Sequence, residues 1–333
     1  MSKSKKMILF LALFTIIFVG LVLIATFYDY RISEILVGGG LHDGNYYSTN
    51  IFGRIFEVLG EMPLYFFVCF ATAILFNWLA KLENKGLRIT FSVILFVFGS
   101  FANLYGWYKF GGYLAKLHPD SSFFTLLHGN LLIYGVYALL SFGFEVLVIF
   151  LLKTKFAEIN DKMVPLAILI LFLAFISQGI VQGIKPLFGR ERFRALYFFS
   201  YRNVADQGFT NWYVMNGDAG KIVEPYLVID GVTKDFFKSF PSGHTTAAGT
   251  VYALIFVPFL FKKYDNVKSK VIFTLIPICF TGLVAIARIV MGAHYMSDVL
   301  FGGTISFLSA IAAYYLTRLL NKKLNYMEWI KAK

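Results

Sequence analysis

Eight runs of about 18 or more mostly apolar residues recur along the chain. They cover Met7–Phe27, Met62–Lys81, Ile89–Tyr108, Asn130–Leu152, Val164–Ile184, Thr245–Phe261, Val271–Val290 and Val299–Leu319. Each is long enough to cross the hydrocarbon core of a bilayer as a helix. The pattern predicts an all-α, polytopic transmembrane helix bundle of about eight spans. Lys3, Lys5 and Lys6 ahead of the first run resemble the start of a signal peptide. That run is long for such a core, however, and ends in Phe27, Tyr28, Asp29 and Tyr30 without a small-residue cleavage pattern. It is read as a retained helix. No internal repeat, low-complexity stretch or linker divides the chain.

Composition agrees. Of the 333 residues 58% are hydrophobic and 15% charged, and Phe occurs 38 times. A soluble domain carries about a quarter charged residues, so this chain has too little polar surface to coat a globule. Cys69 and Cys279 both sit in apolar runs, lack metal-site spacing, and are read as packing residues.

The net charge of +12 would point to nucleic acid in a soluble protein; here the places of the charges assign it to topology instead. Basic residues fill alternate connections: Lys3, Lys5 and Lys6; Lys81, Lys85 and Arg88; Lys153, Lys155 and Lys162; Lys262, Lys263, Lys268 and Lys270; and Lys322, Lys323, Lys331 and Lys333. The positive-inside bias puts these five segments, and both termini, on the cytoplasmic side. Of the opposite connections, Tyr28–Glu61 and Lys109–Gly129 read as long loops with two basic residues each. Lys185–Lys238 breaks the pattern with eight, among them Arg190, Arg192 and Arg194. A long translocated loop is weakly bound by the charge rule; the alternative is that these residues have a job other than topology.

Three segments fall at the outer ends of predicted helices. Lys185 and Arg192 lie seven apart around Gly189, and two converging cations suit a group with several anionic oxygens. Pro241, Ser242, Gly243 and His244 open the sixth run. Ser caps helices, Gly admits close approach to the backbone, and free N–H groups at a helix start favour anions. Arg288, His294 and Asp298 join the seventh run to the eighth. His294 and Asp298 are four apart, so a helix beginning near His294 would put them on one face. A carboxylate on one imidazole nitrogen fixes the tautomer and frees the other as base or nucleophile. Arg288 would point away from His294 on a continuous helix, which predicts a break at Gly292. Each segment alone has a plainer reading: a snorkelling Lys and solvated Arg, a helix cap with an incidental His, an interfacial His with a cap-like Asp.

Taken together, these residues resemble the type-2 phosphatidic acid phosphatase family, whose catalytic core is shared with vanadium haloperoxidases and glucose-6-phosphatase. The family pattern is a Lys, six residues, then Arg-Pro; then Pro-Ser-Gly-His; then Ser-Arg, five residues, His, three residues, Asp. Phe193 stands in place of the first Pro and Ala287 in place of the Ser before Arg288. The resemblance covers roughly Val164–Leu319. It implies a core at 164–319, preceded by transmembrane helices and outer loops at 1–163 without a readable motif and followed by a cytoplasmic tail at 320–333.

The resemblance also implies a mechanism. His294 would attack phosphorus, giving a phosphohistidine, with Asp298 orienting it. His244 would act as acid and then base. Lys185, Arg192, Arg288, Ser242 and Gly243 would bind phosphate. No carboxylate cluster suits magnesium, so no metal or other cofactor is expected. The implied substrate is a phospholipid or polyprenyl phosphate, such as phosphatidic acid, phosphatidylglycerol phosphate, undecaprenyl diphosphate or a lipid A phosphate. It would be hydrolysed at the extracytoplasmic face of the cell membrane.

Two other readings compete. A phosphotransferase would pass the same intermediate to a lipid hydroxyl. A transporter or scaffold would use mid-membrane ionisable groups, for which Glu145 is the main candidate, unless it pairs with a neighbour such as Gln178. Trp107, Tyr108, Trp212 and Tyr213 read as interface anchors, and His42, His118 and His128 as structural or solvated. The oligomeric state is not legible.

Overall fold

The computed structural model describes residues 3–117 and 121–324; His118 and the basic residues beyond Leu324 lie outside them. All regular secondary structure among the described residues is helical. The α-helices are α1 (Lys3–Val37), α2 (Ile51–Leu59), α3 (Met62–Leu79), α4 (Lys85–Leu117), α5 (Ser122–Leu126), α6 (Leu131–Thr154), α7 (Ala157–Phe188), α8 (Phe193–Tyr201), α9 (Ala219–Ile222), α10 (Gly243–Ala248), α11 (Val257–Leu260), α12 (Val267–Val290) and α13 (Met296–Leu324). Eight helical stretches among the described residues are long and apolar enough to cross a membrane, as the apolar runs predict. The sixth combines α10, a 3-10 stretch at Gly249–Phe256, and α11.

Two stretches expected as outer loops are largely helical. α1 continues ten residues past the first apolar run, because Ala25, Asp29, Ser33 and Val37 are all buried at four-residue spacing. That spacing is one helix face. The face stays buried while its chemistry turns polar, so a search for apolar runs ends too early. α4 likewise reaches Leu117, its last turns held by Phe110, Tyr113 and Leu114 packed with Val58.

The described residues form two compact units. One draws on Met1–Gly53, Val181–Ser242 and Ala285–Gly303; the other on Arg54–Ile180, Gly243–Val284 and Thr304–Lys333. The first contains an aromatic core built on the segment between α7 and α10. Phe198, Phe199, Phe236 and Phe237 are buried there with Tyr46, and Tyr46 stacks on Phe236 at 4.0 Å. Trp212, expected as an interface anchor, is half-buried in this unit. Its Nε1 donates to Thr26 Oγ1 (3.0 Å) and its ring meets Phe301 at 4.7 Å.

In the second unit, α3, α4 and α6 pack against one another. Glu145 of α6 is fully buried, and its partners are not Gln178 but two residues of α3. Cys69 Sγ donates at 2.7 Å and Thr72 Oγ1 at 3.1 Å. Cys69 therefore packs, as expected, and also satisfies a carboxyl that would be costly to leave unpaired in hydrocarbon. The larger core of this unit runs through Leu169, Leu173, Ala253, Phe256 and Ala310.

Candidate active site

The corner between α12 and α13 is built by one glycine. Gly292 has φ +62°, a left-handed conformation that glycine adopts without penalty. Gly292 N–H donates to the Ile289 carbonyl (2.8 Å) and Ala293 N–H to the Arg288 carbonyl (3.1 Å). This is a Schellman ending, which satisfies the last carbonyls of α12 and turns the chain. The break predicted at Gly292 is present. His294 N–H also donates to the Arg288 carbonyl, at 3.2 Å. The turn thereby ties two of the predicted site residues together through the main chain.

His294 lies two residues before α13 begins, so it does not share a helix face with Asp298. Their approach has another cause. Asp298 occupies the third position of α13, and its Oδ2 accepts the N–H of Tyr295, the residue capping that helix, at 2.8 Å. This is the acidic half of a capping box. The carboxylate so placed lies 3.5 Å from His294 Nδ1. It also accepts from the Ser239 hydroxyl at Oδ2 and from Arg190 Nη1 at Oδ1, the latter at 2.6 Å. Asp298 is thus the centre of a network rather than the partner of a single histidine.

Arg190 is the largest addition to the sequence reading. It has no solvent exposure and bridges two buried carboxylates, Asp298 and, at 2.9 Å through Nη2, Asp29 of α1. Asp29 in turn accepts the N–H of Ser297 (2.9 Å) and its hydroxyl. The guanidinium lies over the Tyr295 ring at 4.2 Å. A helix with no recognisable motif thereby anchors the start of α13. The sequence signal was present but faint: an acidic residue beside an apolar run, which is costly there unless paired.

Lys185, in the last turn of α7, donates to the Pro241 carbonyl at 3.2 Å. Beyond it, Gly189 takes φ +48°, and a Cβ there would sit 2.5 Å from the Gly217 carbonyl. The chain then pairs with the segment before Pro241: Ser239 N–H donates to the Arg190 carbonyl (3.0 Å) and Arg192 N–H to the Phe236 carbonyl (2.9 Å). Arg192 Nη2 donates to Asp235 Oδ1 at 2.7 Å, while its buried Nε has no hydrogen-bond partner within the described residues. Arg194 reaches the same Asp235 (3.4 Å) and covers the Tyr46 ring at 4.2 Å. Arg190, Arg192 and Arg194 therefore all make ion pairs within the unit; of the three, Arg192 is the one expected to bind phosphate.

His294 is fully buried. Burial, the largest influence, holds its proton affinity well below the usual histidine value. The contact with Asp298 opposes this, and the charges of Arg192 and Lys185 lower it further. The imidazole is therefore neutral at neutral pH, as a nitrogen nucleophile must be. Ser242, expected to offer its N–H to phosphate, donates it to the Asp298 carbonyl at 2.9 Å. Arg288 is buried in the last turn of α12. Lys185, Arg192, Ser242, Arg288, His294 and Asp298 all belong to the first unit; Gly243 and His244 begin a segment of the second.

In that second unit, His244 stands in the first turn of α10. Its Nδ1 lies 3.3 Å from Glu61 Oε1, and its ring meets that of Tyr113 at 5.3 Å. Glu61 escaped sequence reading because it carries no motif and falls in a stretch read as loop. His42 is exposed and His128 packs on Tyr108 at 5.1 Å, in keeping with solvated and structural roles.

Among known proteins, a probable diacylglycerol pyrophosphate phosphatase from Schizosaccharomyces pombe is 33% identical over 89 residues, which is 26% of this chain and 32% of that relative. The chain thus spans about a third of that relative's length. No solved structure matches. The family profile described as the PAP2 superfamily matches residues 166–322. The matched stretch contains every residue of the three motifs at the helix ends described above. Through residues 166–322, a little under half of its length, this chain is similar to the PAP2 superfamily.

Proposed function

We propose that the protein is a membrane lipid phosphatase acting through a phosphohistidine at His294. The observation that carries the reading is His294 itself: buried, held neutral, near Asp298 through Nδ1, and within the field of Lys185 and Arg192. Asp298 leaves Nε2 as the nucleophilic atom. Nε2 attacks phosphorus, the bond to the leaving oxygen breaks, and His244 supplies that oxygen with a proton. Water, deprotonated by His244, then cleaves the P–N bond and releases phosphate.

Lys185, Arg192 and Arg288, with the N–H of Gly243, stabilise the charge on the non-bridging oxygens in the transition state. Three cations do there what metal ions do in other phosphoryl-transfer sites. The proposed reaction relies on these cations and calls on no metal. The substrate is a lipid phosphate or diphosphate approached from the extracytoplasmic side, the orientation supported by the alternation of basic connections.

Rapid quenching with lipid labelled at phosphorus tests this reading. A label stable in base, lost in acid and absent from His294→Ala is expected, and label retained by His294→Ala would exclude the intermediate. Supplying a lipid alcohol separates the alternative: a phosphotransferase would move label to the alcohol and release none without it.

A further inference from the structure

The carboxylate of Glu61 lies far from the matched family segment in sequence, yet it reaches a motif histidine. It sits in the two-residue turn between α2 and α3. The turn is tight: Gly60 N–H donates to the Phe56 carbonyl (2.9 Å), and a Cβ on Gly60 would lie 2.6 Å from that oxygen. Glu61 is 8% exposed, so its charge must be met by protein. The two oxygens are used differently. Oε2 is met by Lys109 Nζ at 3.5 Å and by the Tyr65 hydroxyl, which donates at 3.3 Å. Oε1 is left directed at His244 Nδ1, 3.3 Å away. The Tyr113 ring packs on the imidazole, and Lys109 lies 5.7 Å from the centroid of that ring.

We infer that Glu61 is the positioning residue of the general acid: it accepts the Nδ1 proton of His244 and so reserves Nε2 for the transferred proton. A carboxylate on one nitrogen fixes which tautomer is present and how the ring is turned. Asp298 lies 3.5 Å from Nδ1 of His294, and Glu61 stands in the corresponding place beside His244. Each catalytic histidine then has its own carboxylate, one from inside the family segment and one from the N-terminal region. Lys109 and Tyr65 hold Glu61 as His244 needs it.

This inference rests on the phosphatase reading and on His244 as its acid. The test compares a dodecyl phosphate, whose alkoxide needs a proton to leave, with a dodecyl-nitrophenyl phosphate, whose phenolate does not. The readout is kcat/KM, which stops at formation of the phosphoenzyme. His244→Ala should lower dodecyl phosphate hydrolysis by about 100-fold or more, the usual contribution of a general acid, and change the nitrophenyl ester little. Glu61→Gln should show the same selectivity, with a loss of about tenfold to 100-fold on the alkyl ester only. Glu61→Asp, which keeps the charge, should fall between, and carries the test if Glu61→Gln does not fold. Equal losses on both esters would make Glu61 merely structural and overturn the inference. So would no loss in Glu61→Gln while His244→Ala discriminates. If His244→Ala itself fails to discriminate, the acid assignment falls, and the inference with it.

Discussion

Replacing Arg190 with Met tests the buried network most severely. The guanidinium meets Asp298 at 2.6 Å and Asp29 at 2.9 Å, and none of the three side chains is more than 1% exposed. Met nearly conserves volume, so the loss is electrostatic. It leaves two carboxylates buried without their shared counter-ion. Removing one partner of a buried ion pair costs about 3–5 kcal/mol, and here one cation serves two anions, so the upper part of that range is expected. Asp29→Asn alone should cost less, because Arg190 keeps Asp298 as a neutralising partner and Asn can still accept from Ser297. The informative variant is the double one. With Asn at 29, Arg190→Met strands one carboxylate rather than two, so the second substitution should cost less than it does alone. Residues of one network are coupled in this way by about 0.5–3 kcal/mol. The assay is thermal unfolding of the four proteins in one detergent, followed by circular dichroism. Additive losses, or an Arg190→Met protein as stable as wild type, would refute the reasoning.

Two further predictions concern the corner that carries His294. Gly292→Ala forces a left-handed backbone on a residue with a side chain and brings its Cβ to 3.2 Å from that of Arg194; a loss of about 1–2 kcal/mol is expected, read as a lowered unfolding midpoint. The second is a pH effect. His294 is held well below its ordinary value in the folded protein, whereas an unfolded imidazole takes up its proton near pH 6.5. Below about pH 6.5 the unfolded chain therefore binds more protons at this site. The contribution of His294 to stability is complete above that pH and is lost as pH falls toward the folded value. In NMR of histidine-labelled protein, the resonance missing from His294→Gln should remain that of a neutral ring at pH 6; titration near 6.5 would contradict the burial and charge argument.

Long apolar runs and motif spacing were legible because each depends on residues close in sequence. Eight runs of the right length need only local composition, and the bend at Gly292 follows from the geometry that would otherwise turn Arg288 away from His294. What was not legible depends on distant pairing. Asp29 and Asp298 are separated by most of the chain, and only the fold shows that Arg190 joins them. The continuation of α1 was hidden because its buried face changes from Ala25 to Asp29 and Ser33, which a hydropathy criterion takes for an end. The pairing of Arg192 and Arg194 with Asp235, some forty residues away, was hidden because Asp235 carries no pattern of its own. Glu61 was invisible for the same reason.

The proposed reaction is phosphate release from a lipid by His294 without a metal. The most direct measurement is release of inorganic phosphate by purified wild type and His294→Ala protein from phosphatidic acid, phosphatidylglycerol phosphate and undecaprenyl diphosphate in excess EDTA. Release by wild type alone, with both proteins equally helical and monodisperse, is the predicted result. Equal release by both proteins, or wild-type activity abolished by EDTA and restored by added metal, would contradict it.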